Sequence, residues 1–309
     1  MGAATDLIIE PRVHDLGGAP IRRVLPYHKK RAVGPFVFFD HIGPADVPPG
    51  RGAAVRPHPH IGLATVTYLF EGSMDHRDTL GTIQTIEPRA VNWMTAGRGI
   101  SHSERAPKDL LESGHRMHGI QTWVALPKPH EEDEPAFVHH PADTLPRFDL
   151  GGAEATLIAG EAWGHVSPVE FPWPIWYLAV EAPNGAAFDL PLEVEERSVY
   201  VVKGEAEVDG ERLSEGKMSV LKLGEAASVT AQPDTILMLS GGAPLDGPRY
   251  IEWNFVSSSK ERLEQAKEDW RKSIAGNWLD TPFTQPPGET AYIPLPGDPE
   301  PTPLDSPPE

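Results

Sequence analysis

The sequence predicts an all-β protein built as a barrel or a sandwich, because short strands and turn signals alternate along much of its length. The chain of 309 residues contains 34 prolines and 29 glycines. Leu80-Gly81-Thr82 and Asp209-Gly210 have the composition of hairpin connections, and Asp-Gly is a pair that a type I′ turn favours. The alternating segments that predict strands lie at 65–70, 82–87, 198–202 and 218–223.

Two of these strands resemble each other, which indicates two related barrels. VTYLFEG at 66–72 and SVYVVKG at 198–204 both have a tyrosine at the third position and a glycine at the seventh. Matches this short also arise by chance in β-rich chains, so duplication and coincidence both stay open. The acidic EEDEP at 131–135 and Gly151-Gly152 bracket a linker. We therefore expect barrels over residues 1–135 and 136–256, followed by a C-terminal segment over 257–309.

The C-terminal segment contains the one clear helical pattern. Ser258 and Glu261 have the spacing of a capping box, and Gly276 is placed to end the helix. Beyond residue 281 prolines are too frequent for a helix or a central strand, so we expect this tail to wrap the surface or to stay mobile. The helical periodicity is carried by Leu263, Ala266, Trp270 and Ile274.

Charge and composition exclude several classes of protein. A formal net charge of −18 is unsuited to a surface that tracks nucleic-acid phosphates, and the basic run at 28–31 is more typical of a solvated turn. The longest apolar run, at 174–180, is far shorter than the roughly 20 residues of a membrane-spanning helix. No cysteine is present, so disulfides and thiolate ligands are excluded. We expect a soluble, cytoplasmic protein with neither a membrane nor a direct nucleic-acid partner.

Four side chains form two pairs with the spacing of a metal site. Residues two apart on a strand point to the same face, so His58 and His60 project together, and His102 and Glu104 repeat this geometry after a glycine-rich turn. Three imidazoles and one carboxylate suit Fe, Ni, Mn, Cu or Zn, whereas Ca²⁺ and Mg²⁺ prefer more oxygen ligands. A six-coordinate ion would keep two positions for dioxygen or a chelating substrate, whereas a four-coordinate zinc could be structural. For His-Pro-His alone, a pair of surface or capping histidines is the alternative interpretation.

The histidines are distributed unevenly, which bears on whether a second barrel could hold an equivalent site. All 13 of them lie at or before His165. The offset between the two similar strands places Leu190 and Leu192 where the first barrel has His58 and His60. A second barrel would therefore lack an equivalent site.

Longer motifs carry a resemblance to a known family: GPFVFFDH at 34–41, HPHIGLATVTYLFEG at 58–72, WMTAGRGISHSE at 93–104 and HGIQTWVALP at 118–127. Together they resemble the pirin family of the cupin superfamily. The resemblance implies a bicupin, two antiparallel β-barrels of jelly-roll type with a short C-terminal helix. It implies one divalent ion, Fe(II) in first place and Ni, Mn, Cu or Zn otherwise, in the N-terminal barrel alone. Its ligands would be His58, His60, His102 and Glu104; many cupins have a further glutamate where this chain has Ala64.

The resemblance implies two functions of different kinds. Some pirins act as quercetin 2,3-dioxygenases, in which a flavonol-like substrate would chelate the metal beside O₂ and Glu104 would be the catalytic base. Other pirins are redox-sensing metal proteins that bind and regulate a transcription factor or a metabolic enzyme. An apolar cavity above the metal would favour the enzyme, and a buried metal without a cavity would favour the protein partner. Another cupin chemistry, such as sugar isomerisation, stays open because a fold does not fix a reaction.

Other residues in or near these motifs are weaker candidates. Four histidines either hydrogen-bond the ligands and line the barrel mouth, or are ordinary packed or surface residues. The phenylalanines of GPFVFFDH form either an aromatic wall for a flat substrate or part of a core. Arg98 and Arg105 either steer an anionic flavonolate or are paired on the surface. The histidines are His41, His76, His115 and His118, and the phenylalanines are Phe36, Phe38 and Phe39.

Overall fold

The computed structural model describes residues 4–16, 19–279, 281 and 283–300. In its first half, helix α1 (Lys108–Ser113) lies between the tenth and eleventh strands. The strands are β1 (Thr5–Ile9), β2 (Arg12–Leu16), β3 (Ala19–Leu25), β4 (Phe36–Val47), β5 (Ala54–His60), β6 (Leu63–Glu71), β7 (Met74–Asp78), β8 (Ile83–Ile86), β9 (Val91–Thr95), β10 (Ile100–Arg105), β11 (His115–Ala125) and β12 (Ala136–His140).

The second half ends with helix α2 (Lys260–Ala275), and short 3₁₀ turns at Lys128–His130 and Ala142–Thr144 lie before and after β12. Its strands are β13 (Arg147–Leu150), β14 (Ala153–Ala162), β15 (His165–Val166), β16 (Ile175–Ala182), β17 (Ala187–Asp189), β18 (Glu196–Lys203), β19 (Glu205–Val208), β20 (Glu211–Ser214), β21 (Met218–Leu221), β22 (Ser228–Ala231), β23 (Thr235–Gly242), β24 (Tyr250–Glu252) and β25 (Phe255–Ser257).

The two halves share one strand order. The larger N-terminal sheet runs β12-β9-β6-β11-β4-β3-β2, and the larger C-terminal sheet runs β1-β21-β18-β23-β16-β14-β13. The two strands whose sequences resemble each other, β6 and β18, take the third place in each. Each half adds a four-stranded sheet, β5-β10-β7-β8 in the first and β17-β22-β19-β20 in the second. The shared order supports duplication over coincidence.

The fold is the all-β bicupin that the sequence predicted, with jelly-roll sheets in both halves. Among the described residues, no strand pairing joins a larger sheet to its smaller partner, so each half is a pair of facing sheets rather than a hydrogen-bonded closed barrel. At the β19–β20 hairpin, Asp209 and Gly210 have φ of 48° and 75°, the left-handed pair that a type I′ turn requires. In the C-terminal barrel, Leu190 joins an apolar cluster with Leu157 and Val199.

The two larger sheets pack against each other through a second apolar cluster. Phe36, Phe39 and Ile120 from the first half meet Tyr177 and Met238 from the second. Removing such side chains from water is the main favourable contribution to this packing. Phe36 and Phe39 are therefore core residues rather than parts of a substrate wall.

Strands near both ends of the chain contact the opposite half of the molecule. β1 pairs with β21 in the C-terminal sheet, whereas β12, which follows the predicted boundary at residue 135, pairs with β9 in the N-terminal sheet. The β24–β25 hairpin returns to the first barrel, where Ile61 forms a parallel bridge with Phe255. Gly151-Gly152 forms the turn between β13 and β14. The division at 1–135, 136–256 and 257–309 stays a prediction.

Helix α2 confirms the predicted periodicity but begins one residue later than its capping box suggested. Ser259, not Ser258, is the N-cap, and its Oγ accepts from the Arg262 backbone N–H at 3.2 Å. Ser258 instead donates its hydroxyl to Glu131 at 2.9 Å. The helix ends at Gly276, as predicted. None of the described helices has the length and apolarity needed to cross a membrane.

Candidate metal centre

Three of the four predicted ligands converge on one point. Strands β5 and β10 pair in antiparallel fashion, so His102 lies opposite His58 and Ile100 lies opposite His60. One ring nitrogen from each of the three histidines lies within 4.8 Å of the others, and all three side chains are buried. The cluster therefore offers three imidazoles to a single ion.

Backbone carbonyl groups fix the orientation of two of these rings. His58 Nδ1 lies 2.9 Å from the carbonyl oxygen of Arg56, and His60 Nδ1 lies 2.9 Å from that of Asn254. A carbonyl oxygen only accepts hydrogen bonds, so each Nδ1 carries the proton and each Nε2 presents its lone pair. This is the tautomer that a metal ligand requires when it binds through Nε2.

A chain of hydrogen bonds gives His102 the same tautomer. Asp78 Oδ2 lies 2.9 Å from His76 Nε2, and His76 Nδ1 lies 3.3 Å from His102 Nδ1. Because the carboxylate accepts from His76 Nε2–H, His76 Nδ1 accepts from His102 Nδ1–H, which leaves the lone pair on His102 Nε2. Asp78 is itself held by the backbone N–H groups of Leu80 and Thr82.

The resulting donor set fits a bound cation. His60 Nε2 and His102 Nε2 face each other at 3.1 Å, although both carry lone pairs. Two nitrogens at right angles around an ion with bonds of about 2.1 Å are separated by about 3 Å. A positive charge between them would replace the repulsion of two lone pairs with two coordinate bonds.

Burial keeps the three imidazoles neutral. It lowers the pKa of His58 to about 4, with a smaller contribution from nearby His76. Burial also lowers the pKa of His60 and of His102 well below the usual range, and the neighbouring rings of the cluster act in the same direction. Neutral imidazoles are the form that binds metal, so the site needs no proton release at neutral pH.

Glu104 is buried beside the cluster but is not one of the three converging groups. The β5–β10 register shifts between His102 and Glu104, so Glu104 pairs with Val55 on one side and with His76 on the other. Its Oε1 accepts from Gln121 Nε2 at 2.7 Å. Burial raises the pKa of Glu104, and nearby His76 and the Gln121 hydrogen bond oppose that shift. Its role as fourth ligand stays a prediction.

A cavity of about 280 Å³ opens beside His58 and Glu104. One wall is a pair of stacked rings, Phe38 and Trp123, whose centroids lie 4.0 Å apart and whose planes differ by 11°. Trp123 also meets the His60 ring edge-on at 5.2 Å. The guanidinium carbon of Arg23 lies 4.3 Å from the centroid of the Phe38 ring. The same guanidinium donates two hydrogen bonds of 2.8 Å to the Asp40 carboxylate. The cavity therefore combines a flat aromatic wall with a few fixed polar groups.

The weaker candidates divide between the site and the rest of the fold. His115 lines the cavity, and His76 hydrogen-bonds His102. His41 and His118 lie away from the cavity and hydrogen-bond each other at 2.8 Å. Arg98 pairs with Glu134 and Arg105 pairs with Glu289, so both arginines have the paired role.

Sequence reasoning missed several residues around the site, and only some had a signal. Gln121 interrupts the apolar run of β11, and an amide in such a position commonly has a buried partner. Asn254 gave no sequence signal, because its backbone carbonyl, not its side chain, contacts His60, and it lies in a turn 194 residues further along the chain. In that two-residue turn Trp253 adopts a left-handed φ of 53° and lines the cavity. Arg23 and Asp40 also belong to the wall.

Comparison with known proteins finds similarity along most of the chain. Family models match residues 18–124 as Pirin and residues 177–276 as the Pirin C-terminal cupin domain. A pirin-like protein of Caulobacter vibrioides is 52% identical over 86% of this chain and 93% of its own, and human pirin is 31% identical over 84% and 89%. A crystal structure of quercetin 2,3-dioxygenase from Acinetobacter baumannii has 35% identity and a TM-score of 0.86, with 96% of each chain covered.

Proposed function

The chain belongs to the pirin family of bicupins, and from that membership we propose that it is a metal-dependent dioxygenase acting on a flavonol-like substrate such as quercetin. One observation carries the proposal. His58, one of the three converging imidazoles, lines a cavity together with Glu104 and the stacked pair Phe38 and Trp123. A buried metal without a cavity would have favoured a role in protein binding instead.

The metal would be held by His58, His60 and His102 with Glu104 as the fourth ligand, and Fe(II) is the ion we propose. Three neutral nitrogen donors and one carboxylate are a donor set for iron and its neighbours among the divalent transition metals. When bound, such an ion lowers the pKa of a chelating hydroxyl and holds the substrate beside dioxygen.

The remaining steps belong to the side chains of the cavity. Phe38 and Trp123 would give a flat substrate an apolar aromatic wall to pack against. Glu104 would accept the proton of the substrate's 3-hydroxyl group, and Gln121 would orient the receiving carboxylate. Burial raises the pKa of Glu104, which makes its carboxylate a stronger base than an exposed one. One atom of O₂ would go to each of the substrate carbons C2 and C4 as the O–O, C2–C3 and C3–C4 bonds break, so that C3 leaves with its own oxygen as carbon monoxide and a depside remains, which takes back the proton.

The test is carbon monoxide release from protein loaded anaerobically with Fe(II) and then given quercetin and air. Loss of quercetin alone is insufficient, since the flavonol oxidises by itself. We expect metal-dependent carbon monoxide from the wild type and none above background from His58→Ala or Glu104→Gln. His139→Ala is the matched control, because this half-buried histidine hydrogen-bonds Asn92 away from the cavity.

An absence of carbon monoxide from wild type with a full complement of iron would contradict the proposal. The redox-sensing role in protein binding would then be the better account of the three imidazoles. Activity retained in His58→Ala would instead contradict the assignment of the metal site.

A further inference from the structure

The segment at 283–300, here called the C-terminal strap, lies across both strands that carry the converging histidines. The Ile293 backbone N–H donates to the carbonyl oxygen of Pro57 in β5 at 2.8 Å, directly before His58. The Ser101 hydroxyl of β10 donates to the carbonyl oxygen of Thr284 at 2.7 Å, directly before His102. The strap therefore contacts each strand one residue from a histidine of the cluster.

An ion pair fixes the middle of the strap to the strand of Glu104. Arg105 donates to Glu289 through two parallel hydrogen bonds, Nε to Oε1 at 3.0 Å and Nη2 to Oε2 at 2.6 Å. The Glu289 side chain is only 7% exposed, so water competes little with the guanidinium for it. Bidentate arginine–carboxylate pairs combine strength with a fixed geometry. This pair therefore holds the strap in register with β10.

Apolar anchors on either side of the ion pair complete the attachment. Phe283 and Leu295 are buried in the same cluster as Trp270 of α2. The Trp270 indole N–H donates to the Ile293 carbonyl oxygen at 3.0 Å. Both backbone polar groups of Ile293 are thus satisfied, one by β5 and the other by α2. The position of this residue is fixed by its backbone rather than by its side chain.

Ile293 also lines the cavity, together with Trp253, Asn254 and His58. We propose that the C-terminal strap is part of the substrate site and that Ile293 limits the size of the planar ligand that can reach the metal. This inference rests on the proposed function for the identity of that ligand. It assigns a specificity role to a segment beyond residue 276, where the match to the Pirin C-terminal cupin domain ends.

The experiment measures the binding of three probes of increasing size to the Co(II)-loaded full chain, followed by visible absorption of the metal. The probes are azide, the single-ring chelator tropolone and the three-ring chelator 3-hydroxyflavone. Ile293→Trp narrows the cavity and Ile293→Ala widens it. Ile274→Ala is the matched control, since this half-buried residue of α2 packs on the same apolar cluster but does not line the cavity.

We expect Ile293→Trp to weaken the binding of 3-hydroxyflavone at least 10-fold and the binding of tropolone less. Azide binding and cobalt content should stay within twofold of wild type. Ile293→Ala should raise the preference for 3-hydroxyflavone over tropolone several-fold, because the wider cavity relieves the limit that only the larger ligand meets. Ile274→Ala should change none of these values. If Ile293→Trp fails to fold, the change that Ile293→Ala causes in the preference for 3-hydroxyflavone over tropolone tests the inference by itself.

Several outcomes would overturn the inference. Equal binding of all probes by the variants and wild type would show that Ile293 does not limit the ligand. Parallel losses of azide and cobalt would show that Ile293 acts on the metal site itself. Size selection that depends on Ile293, without carbon monoxide release from quercetin, would overturn the proposed function and leave the strap's role intact. Wild type that binds neither planar probe would overturn both.

Discussion

His76 Nδ1 lies 3.3 Å from His102 Nδ1, and the opposite ring nitrogen of His76 lies 2.9 Å from the Asp78 carboxylate. Neither Asp78 nor His76 is among the residues that line the cavity, so both act on the metal centre through His102. A carboxylate behind a ligand histidine fixes both the tautomer and the direction of its ring.

Removing this support should weaken metal binding. We expect His76→Ala and Asp78→Asn each to lower the affinity for a divalent metal about 10- to 100-fold, because His102 would lose its fixed tautomer and orientation. Competition with a chromogenic chelator measures the affinity. His139→Ala should bind metal as wild type does. An unchanged affinity in His76→Ala would show that His102 needs no partner.

The hydrogen bond from Gln121 to Glu104 should set the proton affinity of that carboxylate. The amide donor stabilises the charged carboxylate and so lowers the pKa of Glu104 against the effect of burial. In Gln121→Leu the acidic limb of the kcat/KM profile for quercetin should therefore move to higher pH by about 1 unit. Gln265→Leu, a change of the same kind on the exposed face of α2, is the control. A shift to lower pH would contradict the role of Glu104 as base.

The contact between Tyr200 and His41 should contribute to the packing of the two barrels. The Tyr200 hydroxyl lies 2.8 Å from His41 Nδ1 across the interface, and both side chains are fully buried. Tyr200→Phe leaves that nitrogen without a partner, which should lower the free energy of unfolding by about 1–2 kcal/mol. Urea denaturation measures the change. Tyr250→Phe, at an exposed tyrosine, should stay within about 0.5 kcal/mol of wild type.

His118 should make the stability depend on pH below neutrality. Burial lowers the pKa of His118 from 6.5 to about 4, so below pH 6.5 the unfolded chain takes up a proton that the folded chain does not. The contribution of neutral His118 to the free energy of unfolding is therefore fully present above pH 6.5 and is lost progressively as the pH falls towards 4. This group should account for about 2 kcal/mol of loss between pH 7 and 4.5.

The measurement is urea denaturation across that range for wild type and His118→Gln. Other buried histidines add to the wild-type slope, so the difference between the two proteins isolates His118. A variant with the same slope as wild type would show that the pKa of His118 is not lowered in the folded chain.

Much of the fold could be predicted because it depends on local pattern. The alternation of apolar and polar residues predicted β6 and β18, and the Asp209-Gly210 pair predicted the turn of the β19–β20 hairpin. An apolar period near 3.6 residues predicted α2. The N-cap of α2 was misplaced by one residue, since Ser258 and Ser259 are adjacent and the capping-box spacing to Glu261 favoured Ser258. Tertiary contact decided between them, because Glu131 binds Ser258 and leaves Ser259 to cap the helix.

The sequence by itself determined the pairing of His58 with His60 and of His102 with Glu104, because the two-residue period of a strand places alternate side chains on one face. Only the tertiary structure decided what surrounds them. The β5–β10 register shifts between His102 and Glu104, while Asn254 and Ile293 reach the site from segments far along the chain. Such contacts depend on backbone groups and on how the chain ends cross between barrels, and neither leaves a periodic signal in the sequence.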